Sequence, residues 1–255
     1  MIKEYYNSEK NHDVLILGDC EVYENISTVT MWENYGISSY IRGSAEQLIW
    51  QSYYLLEDTL KYEKPQVVIL NVLAMTESDA KNEAYNRMTL DGMKLSKYKI
   101  ASVRESMTEE ENMASYIFPL LRYHSRWSEL SSEDFRYMWK TPSVTTNGYL
   151  MQKGVRPVTT IPKAAPLANY TFSDRNMEYL DKIYSLCKDN GINLVLMKAP
   201  SVYPHWYDEW DKQVSDYAYE HGILYLNTIN EAGNIGIDYT CLLYTSPSPR
   251  DRSLS

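Results

Sequence analysis

The chain has 255 residues, 44% hydrophobic and 23% charged, enough to bury one sizeable core and too apolar for wholesale disorder. A net charge of −9, with no Lys/Arg-rich run to offset it, argues against a nucleic-acid surface, so no nucleic acid is expected as a partner. No apolar stretch approaches the roughly 20 residues that cross a bilayer, so no membrane span is expected.

The first informative stretch is His12-Asp13-Val14-Leu15-Ile16-Leu17-Gly18-Asp19-Cys20. It reads as a buried strand from Val14 to Leu17 that stops at Gly18 and delivers Asp19 and Cys20 into a turn. A short helical patch follows, ending near Tyr35, and Gly36 breaks it before a second strand, Ile37-Ser38-Ser39-Tyr40-Ile41. Gly43 comes next, and Ser44-Ala45-Glu46-Gln47 has the spacing of a capping box that opens a helix running toward Pro65. Val67-Val68-Ile69-Leu70-Asn71 is a third buried strand.

Between about Met75 and Thr171 the pattern loosens into an insertion, with helices expected over Glu109–Trp127 and Ser131–Lys140 and an irregular excursion from Thr141 to Pro166. Regularity returns with a helix from Ser173 to Asn190-Gly191, a strand Ile192–Met197, a helix from Asp208 to His221-Gly222 and a strand Ile223–Leu226. Two successive helix-Gly-strand units point to parallel crossovers. The expected fold is therefore α/β: a three-layer, doubly wound, mainly parallel five-stranded sheet carrying a helical and irregular insertion over 75–171. Residues 1–240 read as one domain. Residues 241–255 resemble translated adapter or vector read-through and are expected to be a non-native tail.

In open parallel sheets ligands bind beyond the carboxyl ends of the strands, where Cys20 is expected to sit. The other cysteines, Cys187 and Cys241, make no disulfide framework or metal-ligand spacing with it, and Cys187 keeps helical step with Leu180 and Ile183 as core. There is no Gly-x-x-x-x-Gly-Lys-Ser/Thr loop and no Gly-x-Gly-x-x-Gly after the first strand, so neither a cofactor nor a metal is expected. After the fourth strand, His205 and Trp206, with Tyr203, Tyr207 and Trp210, offer aromatic faces to a sugar, with Asp208 near enough in sequence to orient the imidazole. Arg126, in Arg122–Trp127, offers a guanidinium fork to an anionic substrate. Each also has a plainer reading: aromatics packed over the sheet, and the solvated face of a helix.

Gly18-Asp19-Cys20 closing the first strand and Gly43 closing the second, in this order of elements, resemble the SGNH/GDSL hydrolase superfamily, especially its bacterial branch that acylates or deacylates cell-envelope polymers. The resemblance spans roughly residues 11–72 and 173–240. It implies an esterase or O-acyltransferase working on acyl groups of a small-molecule or polysaccharide substrate, and an extracytoplasmic or membrane-anchored full-length protein. Cys20 falls where the family has its nucleophilic Ser, with Asp19 beside the substrate. Gly43 falls where a backbone amide helps form the oxyanion hole. Asn71 is the candidate for the family's oxyanion Asn, although it comes early and lacks the surrounding Gly-x-Asn-Asp run. The family's Asp-x-x-His has no match, since no His follows Leu226. On this reading the native sequence stops near Thr240, before the base, and the chain as given is inactive or nearly so. The alternative is a non-catalytic carbohydrate-binding or scaffold domain that kept the fold and lost the Ser.

Overall fold

The computed structural model describes residues 1–118, 121, 144–151, 163–201, 205–231 and 234. Strands β1 (Val14–Gly18), β2 (Ser39–Gly43), β3 (Val67–Asn71), β4 (Asn193–Lys198) and β5 (Leu224–Asn227) form one sheet in the order β2-β1-β3-β4-β5. Every neighbouring pair is parallel. The fold is α/β and three-layered, as expected. The described helices are α1 (Cys20–Asn25), α2 (Thr28–Tyr35), α3 (Ile49–Thr59), α4 (Glu83–Leu90), α5 (Lys97–Ser106), α6 (Met113–Ile117), α7 (Asp174–Asp189) and α8 (Asp208–His221).

Strand alternation sorts the side chains into two cores. Leu15 and Leu17 of β1, Val68 and Leu70 of β3, and Leu194 and Leu196 of β4 face one side, where α3, α5, α7 and α8 cover them. Val14, Ile16 and Ile41 face the other side, under Val22 and Tyr23 of α1 and alongside Tyr149. The segment 144–151 also shields the outer edge of β2: the Ile41 amide donates to Asn147 O at 2.9 Å and Leu150 N to Tyr23 O at 2.9 Å. Among the described residues this second layer does not cover β5, where Leu224 and Leu226 are 55% and 43% exposed.

Several boundaries follow from local chemistry. Ser27 caps α2 by accepting from Thr30 N, and Gly36 ends it in the left-handed conformation. Ser173 caps α7 through Asn176 N, and Gly222 closes α8 at φ 64°. The capping box expected at Ser44–Gln47 is not one. α3 starts at Ile49, with Leu48 as N-cap and its amide donating to Gln51 Oε1 at 3.2 Å. Ser44 and Gln47 are drawn away because each finds other buried partners: Ser44 bonds Thr89, and Gln47 Nε2 reaches Arg42 O and, within α3, Ser52 Oγ.

In the insertion, α4 and α5 went unforeseen in a region of weak apolar periodicity, though Asn82 and Ser96 cap them. Leu90, Met93, Val103 and Tyr116 from this region join the main core. Of the helix expected over Glu109–Trp127 the described part is α6, capped by Asn112. The helix expected over Ser131–Lys140, Arg126 with its flanking run, Tyr203, and the 241–255 tail lie outside the described residues.

Gly18 is required by its surroundings. Its φ is +154°, and a Cβ there would stand 2.7 Å from Asn71 Cβ and 2.9 Å from Val22 Cγ1. Gly18→Ala is expected to destabilise the protein by roughly 1–3 kcal/mol through overpacking, read as a lower urea midpoint. An unchanged midpoint would contradict this close approach.

Candidate functional site

With strand order 2-1-3-4-5, the chain reverses direction across the sheet between β1 and β3, and the crevice beyond their carboxyl ends is the natural ligand position. Gly18 and Asp19 leave β1 there, Asn71 ends β3, and Gly43, paired in register with Gly18, ends β2. Gly43 also has no room for a side chain, because a Cβ would meet Val22 Cγ2 at 2.7 Å and Gly18 O at 3.0 Å. Four of the sequence candidates, Asp19, Cys20, Gly43 and Asn71, thus gather at one sheet edge.

Beneath Cys20 lies a buried polar network. Asp19 caps α1, its Oδ1 accepting from Glu21 N at 3.0 Å and from Asn71 Nδ2 at 3.0 Å. The second Asn71 Nδ2 hydrogen goes to Glu21 Oε2 at 2.9 Å, and Asn71 Oδ1 accepts from Ala199 N at 3.0 Å. Lys198 Nζ binds both Glu21 oxygens, at 2.7 and 2.8 Å, and also Ala199 O and Ser201 Oγ. Lys198 is fully buried, and Glu21, Asp19 and Asn71 are nearly so. Burial, reinforced by the Glu21 charge, raises the Asp19 carboxyl to about 7.

Cys20 is half-buried at the first position of α1. A helix N-terminus favours a thiolate, but the structure drives the Cys20 pKa upward. Burial is the largest cause, followed by the negative charges of Asp19, Glu24, Glu21 and Glu46. A helix end contributes only about 0.3–1 kcal/mol, less than one pKa unit, and six residues make a weak dipole. Among the described residues no group is hydrogen-bonded to the Cys20 sulfur. The thiol therefore rests protonated at neutral pH, and any attack must shed its proton during the step.

Asn71, the candidate oxyanion donor, ends β3 at this edge, but both of its amide hydrogens are already given to carboxylates. The Cys20 amide, at the start of α1, has no acceptor within its own helix. After β4, His205 is exposed, packs edge-on against Tyr207 at 4.7 Å, and has no hydrogen-bonded partner among the described residues, Asp208 included. Trp206 is a correction to its expected role. Its indole is buried beside Trp210 and Phe172, with Nε1 donating to Asp211 at 3.2 Å, so it builds the loop and presents no open face to a sugar. His12 is taken up by Glu63 at 2.9 Å, and His221 bonds Tyr217 O.

Two residues of the network, Glu21 and Lys198, were missed in the sequence. Lys198 falls in step with the inward-facing Leu194 and Leu196, and a lysine at an inward position is a legible sign of a buried partner. No family model matches the chain, and no curated protein matches it.

The raised Asp19 pKa has a definite sign. The folded state holds this proton more tightly than the unfolded state, so the group's contribution to stability is fully present below about pH 4 and declines as pH rises through about 7. Asp19→Asn keeps an acceptor oxygen and removes the titration. Its stability relative to wild type is expected to improve from pH 5 to pH 8 in urea unfolding, and a pH-independent difference would contradict the assignment.

Proposed function

We propose that the chain is the core of an SGNH-like esterase or O-acyltransferase acting on acyl groups of a carbohydrate or cell-envelope polymer. The observation that supports this most is the in-register ending of β1 and β2 at Gly18 and Gly43, which brings Cys20 and the Gly43 backbone to one mouth at the switch point. Cys20 Sγ would attack the ester carbonyl, with the Cys20 and Gly43 amides facing the developing oxyanion. As the tetrahedral adduct collapses, the ester C–O bond breaks, the leaving alcohol takes the proton lost by the thiol, and a thioester remains. Water then releases the acid, or a sugar hydroxyl accepts the acyl group. The thiol is held protonated, so attack depends on a group that takes its proton during the step.

The second reading, a non-catalytic carbohydrate-binding domain, is favoured by the committed Asn71 amide and the protonated thiol. p-Nitrophenyl acetate separates the two. The enzymatic reading expects nitrophenol release above buffer that falls to the buffer level in Cys20→Ala, with an acetyl group on the Cys20 peptide by mass spectrometry. Equal release by both proteins, with Cys20 unmodified, overturns it in favour of the binding domain.

A further inference from the structure

Four carboxyl groups act on the Cys20 thiol: Asp19, Glu24, Glu21 and Glu46. Three of them are engaged elsewhere. Asp19 Oδ1 accepts from Glu21 N and Asn71 Nδ2, which fixes that carboxyl at the cap of α1. Glu21 is held by Lys198 and Asn71, and Glu46 pairs with Lys81 at 2.7 Å. Glu24 differs. It is half-buried on α1 and has no hydrogen-bond or ion-pair partner among the described residues. A carboxylate drawn partly out of water without a partner is costly to stability, and groups of this kind cluster where chemistry uses them.

Helix geometry brings this carboxylate to the thiol. Cys20 and Glu24 both lie in α1, four residues apart, so their side chains share one face with about 5–6 Å between Cβ atoms. Helical side chains lean toward the N-terminus, which directs the Glu24 stem back over the turn that carries Cys20. A glutamate spans that gap directly or through one water. The helix is tied at its far end, where Asn25 Nδ2 donates to Pro200 O at 3.0 Å and Tyr23 O accepts from Leu150 N at 2.9 Å. Burial, and after it the Glu21 charge, raises the Glu24 pKa, so its carboxylate is a stronger base than a solvated one.

We infer that Glu24 is the general base of this site, taking the Sγ proton as Cys20 attacks the acyl carbon. The inference rests on the acyl-transfer reading and supplies the proton acceptor that reading requires. As the S–C bond forms, the carbonyl π electrons move onto oxygen and the thiol proton passes to a Glu24 carboxylate oxygen. When the ester C–O bond breaks, its electron pair leaves with the alcohol oxygen, which takes that proton from the Glu24 carboxyl group. A thioester and a free Glu24 carboxylate remain, and the carboxylate next takes a proton from the water or sugar hydroxyl that attacks the thioester. Glu24 therefore acts on Cys20 in two opposed ways. Its charge holds the resting thiol protonated, and its basicity assists the attack.

The two effects separate in Glu24→Gln, which keeps the shape and removes the charge. Acetylation of Cys20 by p-nitrophenyl acetate and its alkylation by iodoacetamide are each timed by mass spectrometry of the Cys20 peptide. At pH 7 the variant is expected to be acetylated roughly 100-fold more slowly than wild type. It is expected to be alkylated at least as fast, because losing the nearby charge eases thiolate formation. Its acetylation rate is expected to rise about tenfold per pH unit, as for a preformed thiolate, whereas the wild-type rate levels off once Glu24 has ionised. Asp19, Glu21, Tyr23, Glu46 and Lys198, the other ionisable groups around the thiol and Glu24, are common to both proteins, so the difference in profile belongs to Glu24. Glu24→Asp, with its carboxylate one methylene short, is expected to keep more of the rate than Glu24→Gln. Acetylation unchanged or faster in Glu24→Gln, or acetylation and alkylation slowed in parallel, overturns the base and leaves the acyl-transfer reading standing. A wild-type Cys20 that is alkylated but never acetylated overturns both.

Discussion

The arrangement at the switch point depends on one buried ammonium. Lys198, fully enclosed at the end of β4, neutralises Glu21 through two short hydrogen bonds and uses its remaining donor capacity on Ala199 and Ser201. Without it, Glu21 and Asp19 would be two buried carboxyl groups on either side of Cys20. Breaking a buried pair of this kind typically costs about 3–5 kcal/mol because a charge is left uncompensated. Asn71 extends the tie across the sheet, joining the start of α1 to the end of β4. The turn that presents Cys20 is therefore held by β1, β3 and β4 together, and tightened by the close packing of Gly18 and Gly43.

That support has a chemical consequence. Carboxylates that fix the turn also surround the thiol, so the same network that positions Cys20 keeps it protonated. A mouth of this kind suits a nucleophile that loses its proton only during attack, and it disfavours a resting thiolate that reacts with any passing electrophile. The carboxyl groups around the thiol also disfavour anionic ligands at this mouth.

The strands and the two C-terminal helices were legible because each rests on short-range signals. Val14–Leu17 and Val67–Leu70 are apolar runs long enough for a covered parallel strand, and Gly191 and Gly222 stop their helices in the left-handed conformation. The gathering of Asp19, Cys20, Gly43 and Asn71 was also readable, since strand ends in a parallel sheet share an edge. The start of α3 was not, because Ser44 and Gln47 have capping chemistry that tertiary partners at Thr89 and Arg42 claim instead. The rise in the Cys20 pKa is not legible locally, for a related reason. A helix start is visible locally, whereas the burial of the thiol, the largest cause, and the charge of Glu46 arise only once the chain has folded around it. Whether the Trp206 indole lines a groove or fills a core depends on Phe172, which arrives from a distant segment to pack with it and the nearby Trp210.

The claim that the Lys198–Glu21 pair holds this edge together is tested most directly by a double-mutant cycle. Glu21→Gln, Lys198→Met and the double variant would be unfolded in urea at pH 7. The account predicts that the double variant is less destabilised than the sum of the singles, by a coupling in the upper part of the roughly 0.5–3 kcal/mol range seen for contacting residues. Additivity within about 0.5 kcal/mol would contradict it, and the network would then be a consequence of the fold rather than its support.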